Sequence, residues 1–248
     1  MVTRVQSADG ISGAILAAGR GERLRAAVEG LPKPLVELGG EPLLTRQIRA
    51  LIAVGADPVY VIVNCETSSM LAQRGPKIPT GAQLFARDTA NSMESLLALG
   101  ERIRPGHFVM ATVDAILPGG QLQRFVEQAL LLTNMRIEVA GRFDGALGVV
   151  RWRGDRRPLY AEVAADGLIR GLGDEPSDLV TAGVYFFSTR IFDHAHEARA
   201  LHLQAMRSFL ALLVEKGIRF AAVELEGVID IDEADDLYSA RAALAEQG

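Results

Sequence analysis

The sequence predicts an α/β fold: a mixed, mainly parallel sheet flanked by helices, with a small β-rich lobe over about residues 143–190. Two observations carry that prediction. From Ile11 to Leu132, short apolar, β-branched runs alternate with segments of helical periodicity, the signature of βαβ units. From about Phe143 the pattern changes to shorter strands joined by polar turns such as Ala165-Asp166-Gly167, which reads as an antiparallel excursion.

The elements follow in order. Ile11–Ala17 reads as a buried strand that ends in Ala18-Gly19-Arg20-Gly21. Leu43, Leu44, Ile48, Leu51 and Ile52 define one face of a helix over Leu43–Val54, and Gly55 stops it. Pro58–Asn64 and Ala82–Ala86 are strands. Ser92–Ile103 is helical, with Met93, Leu96, Leu97 and Leu99 on one broad apolar face. His107–Val113 is a strand running into Asp114, and Gln121–Leu132 is a helix after Gly119-Gly120. In the changed region Ala146–Trp152, Leu159–Val163 and Thr181–Ser188 are strands. Helices over His202–Lys216 and Glu233–Ala245 flank a last strand, Phe220–Leu225. The whole chain, 1–248, reads as one domain.

Composition narrows the function. The chain is 49% apolar and 23% charged, an ordinary globular balance that supports a core without staples. Cys65 is the single cysteine, which excludes an internal disulfide and a cysteine-rich zinc domain. No apolar stretch approaches the ~20 residues of a membrane span, and Met1–Gly10 lacks a signal-peptide core. A soluble cytoplasmic protein is expected. With 26 basic against 31 acidic residues, the net charge of −5 argues against nucleic acid as a partner. A small phosphorylated ligand needs only a local basic cluster.

Leu16-Ala17-Ala18-Gly19-Arg20-Gly21-Glu22-Arg23-Leu24 supplies one. Glycines let backbone N–H groups approach an anion, and Arg20, Arg23 and Arg25 add charge suited to phosphate. It is not a Walker A loop, because no Gly-Lys-Ser/Thr occurs. Leu24 breaks the dinucleotide fingerprint and speaks against an oxidoreductase. A plain strand-to-helix turn is the competing reading. Pro32-Lys33-Pro34-Leu35 follows. The two prolines stiffen the backbone around Lys33, as suits a fixed point charge on phosphate.

Together, Leu-Ala-Ala-Gly-x-Gly-x-Arg-Leu and Pro-Lys-x-Leu resemble the signature of the nucleotidyltransferase family. That family includes sugar-1-phosphate nucleotidylyltransferases, cytidylyltransferases of small alcohol phosphates and molybdopterin-guanylyltransferase-like proteins. The resemblance runs from Ile11 to about Ala243. It implies a Rossmann-like fold, Mg²⁺ as cofactor, and transfer of a nucleoside monophosphate unit from a triphosphate to a small phosphomonoester, with release of pyrophosphate. Arg23 and Lys33 are then the catalytic cations, and Leu16, Ala17, Ala18, Gly19 and Gly21 the nucleotide loop. Glu22 stands where the family usually has Thr or Ser.

Mg²⁺ takes oxygen ligands, commonly one or two carboxylates. Asp114 ends a strand, at the edge where open α/β sheets bind ligands. The alternative is a turn cap before Gly119-Gly120. The resemblance implies that Asp114 and Asp230 hold the metal, with Asp230 preferred to Asp232. Asp232 reads instead as a cap of the last helix, and Asp235 and Asp236 as first-turn acids.

Asn91 and Ser92 are capping residues for the helix that follows, and the resemblance also sets them against the nucleotide. The Asn91-x-x-x-Ser95-Leu96 pattern is similar to cytidylyltransferases, which favours CTP. The family's acceptor half, with a Glu-Lys-Pro segment, corresponds here to Asp174-Glu175-Pro176. Because no lysine is present, an arginine must meet the acceptor phosphate: Arg170 is expected, with Arg151 and Arg153 as alternatives, beside Thr181 and Gly183. A non-catalytic nucleotide or nucleotide-sugar binding module is the second reading, favoured by Glu22 and by the missing lysine. A homodimer is the default expectation for an oligomer.

Overall fold

The computed structural model describes residues 10–134, 143–154 and 158–245. In chain order the elements are β1 Ser12–Ala17, α1 Glu22–Ala27, a 3-10 turn at Lys33–Leu35, the hairpin β2 Glu37–Leu38 and β3 Glu41–Pro42, α2 Leu43–Ala53, β4 Val59–Val63, α3 Cys65–Arg74, β5 Ala82–Ala86, α4 Ser92–Gly100, β6 His107–Thr112, β7 Ala115–Ile116 and α5 Gln121–Asn134. There follow β8 Gly145–Arg151, β9 Tyr160–Val163, β10 Ile169–Gly173, β11 Leu179–Ser188, a 3-10 turn at Thr189–His194, α6 Ala195–Ala200, α7 Met206–Glu215, β12 Phe220–Glu224, β13 Ile229–Asp230 and α8 Ala234–Ala245.

Among the described residues nine strands form one sheet. Along its main path the order is β10-β9-β11-β6-β1-β4-β5, and β8 pairs with both β11 and β12. The half built on β6, β1, β4 and β5 is parallel, so the C-terminal ends Thr112, Ala17, Val63 and Ala86 share one edge. The strands from the β-rich stretch add to the same sheet through β11, which runs antiparallel to β6 and β8. They are not a separate layer.

Apolar residues cover both faces, which explains why the central strands read as continuous apolar runs. On β1, Ile15 and Ala17 face the core shared with Leu43, Leu44, Ile48 and Leu51 of α2 and Phe125 of α5. Ala14 and Leu16 face the opposite core, with Met93 and Leu96 of α4 and Phe209 and Leu213 of α7. Phe209 and Leu213 are fully buried; truncating either to Ala costs about 2–5 kcal/mol. Among the described residues no helix is long and apolar enough to cross a membrane.

Two local expectations change. The segment before α7 is not helical: His202 has φ 53, and α7 starts only at Met206. The Met206 N–H instead bonds the Ser92 hydroxyl at 3.0 Å. Cys65–Arg74, unassigned from sequence, is helical because Asn64 caps it by accepting from the Thr67 N–H at 2.8 Å.

Candidate active site

The loop after β1 turns into α1 through Gly21, whose φ of 58 suits glycine. A Cβ there would lie 2.9 Å from the Lys33 Cβ, so Gly21 is also what lets Lys33 pass beneath the loop. Lys33 sits in the 3-10 turn between its two prolines and is buried. Its ammonium donates to Asp114 Oδ2 and to Asp232 Oδ1, both at 2.7 Å. Burial opposes the Lys33 charge, but these carboxylates outweigh it and hold the ammonium above its ordinary range.

A two-stranded ribbon brings the acids together. β7 pairs with β13, setting Ala115 opposite Asp230 and Ile116 opposite Ile229. The Ile231 N–H donates to the Asp114 carbonyl at 3.2 Å. Ligating oxygens of Asp114, Asp230 and Asp232 then all lie within 4.8 Å of one another. Three hard oxygen donors that close suit a small divalent cation. Asp230 is exposed by surface area, yet desolvation among its neighbours, then the charges of Asp114 and Asp232, push its carboxyl up to about 7. Asp232 goes the other way. Burial works against its charge, but Lys33 and Arg23 hold it below the usual carboxylate range.

The Asp232 carboxylate is thus taken up by Lys33 and Arg23, beside Asp114 and Asp230, rather than turned to the helix as a cap. Asp236, in the first turn of α8, reaches back over the helix start: its Oδ2 accepts from the N–H groups of Asp232 at 2.9 Å and Glu233 at 2.7 Å. Arg23 Nη2 lies 2.8 Å from Asp232 Oδ2, and its Nη1 lies 3.5 Å from Glu233. The glycine loop is thus tied to the C-terminal acids.

A cleft of about 1260 Å³ opens above this cluster, lined by Leu16, Ala17, Ala18, Gly19, Gly21, Arg23, Lys33, Asn91, Ser92, Asp114 and Asp232. Every residue expected at the nucleotide thus lies on one surface. Arg25 also lines this cleft, in a two-pronged pair with Glu66 at 2.8 and 2.5 Å. Glu22 is exposed, 3.9 Å from Arg20. Asn91 caps α4 by accepting from the Glu94 N–H at 3.0 Å.

A second cleft of about 770 Å³ lies on the other side of the acids, with Thr181, Gly183, Tyr185 and Asp230 in its wall. Thr112, Asp114, Met206 and Asp232 line both clefts, so the two meet at the carboxylates. β11 breaks register between Thr181 and Tyr185. Gly183, at φ 70, sits in that break, where a Cβ would come 2.7 Å from the Ala115 Cβ. Burial pushes the Tyr185 phenol up to about 12.

Arg170 is not among the arginines of this cleft. It is exposed on β10, with its guanidinium 3.9 Å from Asp166. Among the described residues the cleft's arginines are Arg151, Arg153 and Arg207. Arg207 was not singled out from sequence; it falls within the helix expected over His202–Lys216. It stands in the first turn of α7, where Nη2 donates to the Pro158 carbonyl and lies 3.3 Å from Asp174.

The chain is 26% identical, over 94% of its length, to the UTP–glucose-1-phosphate uridylyltransferase of Haloferax volcanii, of which it spans 96%. It is 27% identical, again over 94% of its length, to the bifunctional IPC transferase and DIPP synthase of Rubrobacter xylanophilus, and spans 52% of that longer protein. The CTP:phosphocholine cytidylyltransferase structure from Streptococcus pneumoniae superposes with a TM-score of 0.74 at 20% identity, over 95% of this chain and 100% of that one. That likeness shows the fold. Residues 13–216 match the MobA-like NTP transferase domain, so the chain belongs to that family and is a nucleotidyltransferase.

Proposed function

We propose that this protein transfers a nucleoside monophosphate unit from a nucleoside triphosphate, CTP before others, to a small phosphomonoester such as a sugar-1-phosphate or an alcohol phosphate. The observation that carries the reading is the meeting of two clefts at Asp114 and Asp232, the two carboxylates that Lys33 holds. The larger cleft, which carries the glycine loop, would take the triphosphate, and the smaller, with Arg151, Arg153 and Arg207 in its wall, the acceptor phosphate. The reacting phosphorus belongs where they join.

The chemistry follows from that placement. An oxygen of the acceptor phosphate attacks the α-phosphorus, a new P–O bond forms, and the bond to the leaving pyrophosphate breaks. The nucleophile is already anionic near neutral pH, so no general base is required. Such transfers rest on positioning and charge neutralisation. Asp114 and Asp230, joined by Asp232, would hold Mg²⁺, which when bound supplies neutralisation of phosphate oxygens. Leu16 to Gly21 offer backbone to the triphosphate, and Asn91 and Ser92 border the base. Lys33 and Arg23, which pair with these carboxylates and border the first cleft, would neutralise phosphate charge there. On the acceptor side Thr181 and Gly183 shape the wall, and Arg207, aided by Arg151 and Arg153, supplies the charge missing at Asp174-Glu175-Pro176.

The reading covers residues 1–248 as a single catalytic domain, with about 143–190 as its acceptor side. It has the enzyme work in the cytoplasm on free metabolites, as a homodimer if it assembles. CTP comes first because of the Asn91-x-x-x-Ser95-Leu96 pattern. Retention of Lys33 and three carboxylates argues against a module that only binds nucleotide.

The test is thermal unfolding with CTP, UTP, dTTP, GTP and ATP, each with and without Mg²⁺, followed by pyrophosphate release against a panel of phosphomonoesters. A ligand at ~100 times its Kd stabilises by roughly 2.7 kcal/mol. A Mg²⁺-dependent shift with CTP and pyrophosphate release with one acceptor class is the expected result. No shift with any triphosphate would overturn the proposal.

A further inference from the structure

We infer that Gln47 is a positioning residue that sets the spacing of the site carboxylates from behind. The inference rests on the reading of Asp114 and Asp230 as metal ligands. Gln47 is buried in α2, on the far side of the ribbon from either ligand cleft, and it lines neither. Its Nε2 donates to the Ala115 carbonyl at 2.5 Å and to the Thr112 carbonyl at 3.2 Å. Those two carbonyls bracket Val113-Asp114. Ala115 is also the residue paired in register with Asp230. One amide group therefore holds the segment that carries the first acid and the strand that aligns the second.

The helix behind it is a firm support. Leu43, Leu44, Ile48 and Leu51 of α2 are all fully buried in the core. A site is only as exact as the element that carries it, and residues behind metal ligands commonly change metal affinity about 10–100-fold when removed. The chemistry also selects the residue type. Two neighbouring carbonyls call for one neutral group with two N–H donors, which an amide provides and a hydroxyl does not. Gln121 of α5 acts on the partner strand's approach: its Oε1 accepts from the Glu226 N–H at 2.6 Å, and its Nε2 donates to the Gly227 carbonyl at 3.2 Å. It holds the turn entering β13 and touches neither flank of Asp114.

The test uses Mn²⁺ as probe. Its binding to the nucleotide-free protein is measured by electron paramagnetic resonance for wild type, Gln47→Leu, Gln47→Asn, Asp114→Asn and Val61→Ala. Val61→Ala is a core truncation in β4, outside the ribbon. We expect Gln47→Leu to bind Mn²⁺ about 10-fold more weakly. Gln47→Asn, one methylene short of both carbonyls, should also bind more weakly. Val61→Ala should lower the melting temperature and leave Mn²⁺ affinity alone. Half-saturating Mg²⁺ for pyrophosphate release should rise in step with the Mn²⁺ affinity. Wild-type affinity in both Gln47 variants would overturn the inference, as would an equal loss in Val61→Ala, which marks a general effect of stability. Should Gln47→Leu fail to fold, Gln47→Asn decides. Absence of Mn²⁺ binding by wild type would remove the metal reading itself, whereas wild-type binding abolished by Asp114→Asn and untouched at Gln47 would remove only this inference.

Discussion

Lys33 and Asp232 lie 199 positions apart in the chain and 2.7 Å apart in the fold. That contact, with its twin to Asp114, ties the N-terminal loop to the segment between β13 and the last helix. It also means that Lys33 has two tasks. It neutralises the acids before any ligand arrives, and it is the cation nearest the joint of the clefts.

Lys33→Ala should therefore affect both turnover and stability. Breaking a fully buried pair costs ~3–5 kcal/mol. Here the Asp232 side chain keeps 37% exposure, so solvent screening reduces the expected loss to about 2 kcal/mol. Turnover should fall on the order of 10²–10³-fold, as for the removal of one donor that meets developing charge. Added Mg²⁺ should raise the melting temperature more in the variant than in wild type, because the acids have lost their internal cation. Calorimetry with and without Mg²⁺ checks the first point and a pyrophosphate assay the second. Unchanged turnover would strip Lys33 of its role.

Gly21 and Gly19 look alike in sequence but should behave differently. At Gly21 a methyl group meets Lys33 at 2.9 Å, and the backbone is left-handed; at Gly19 nothing lies within 4 Å of a built Cβ. Gly21→Ala should cost about 1–2 kcal/mol from backbone conformation alone and lower kcat by displacing Lys33. Gly19→Ala should leave the melting temperature unchanged and, if the loop meets the triphosphate, raise its KM. Chemical denaturation and steady-state kinetics on the pair separate the two effects.

The metal-free protein should lose stability as pH rises, through Asp230. Its folded-state pKa, at about 7, lies above the ~3.9 of an unfolded aspartate. Between those values the folded state binds more protons than the unfolded state, so stability falls with increasing pH and the full cost is present above about pH 7. Asp230→Asn should consequently be more stable than wild type at pH 8 without divalent ions, and equal to it near pH 4. A melting series with chelator over that range is the measurement. A pH-independent difference would contradict the charge argument.

The site's legibility in the sequence followed the range over which each feature is encoded. The glycine loop and Lys33 are local patterns, a strand end and a proline bracket, and they stand where expected. Asp114 was readable because a strand's end points to a sheet edge. Asp232 was not, because its job depends on which carboxylate caps α8. Both Asp232 and Asp236 suit a cap by residue type, and only the fold shows Asp236 turning back to the two N–H groups. Arg170, expected at the acceptor, stands away from the second cleft for a related reason. Whether Arg170 or Arg207 faces the clefts is decided by the pairing of β9, β10 and β11 and by where α7 begins. Helical periodicity carried that helix four residues too far back, to His202, since the Ser92 hydroxyl that meets the Met206 N–H is distant in sequence.

Arg207 and Arg170 therefore make the sharpest pair of variants for the acceptor. An arginine–phosphate hydrogen bond is worth about 1.5–3 kcal/mol, which corresponds to roughly 10–150-fold in affinity. Arg207→Ala should raise the acceptor KM by about that factor and leave the triphosphate KM unchanged, since Arg207 lines the second cleft and not the first. Arg207→Lys should recover part of the loss, because a point charge remains while the planar fork is gone. Arg170→Ala should change neither constant, as its guanidinium faces Asp166 on the exposed side of β10. Initial rates with each substrate varied in turn are sufficient. An acceptor KM that moves with Arg170 and not with Arg207 would return the acceptor phosphate to the other end of the β-rich stretch.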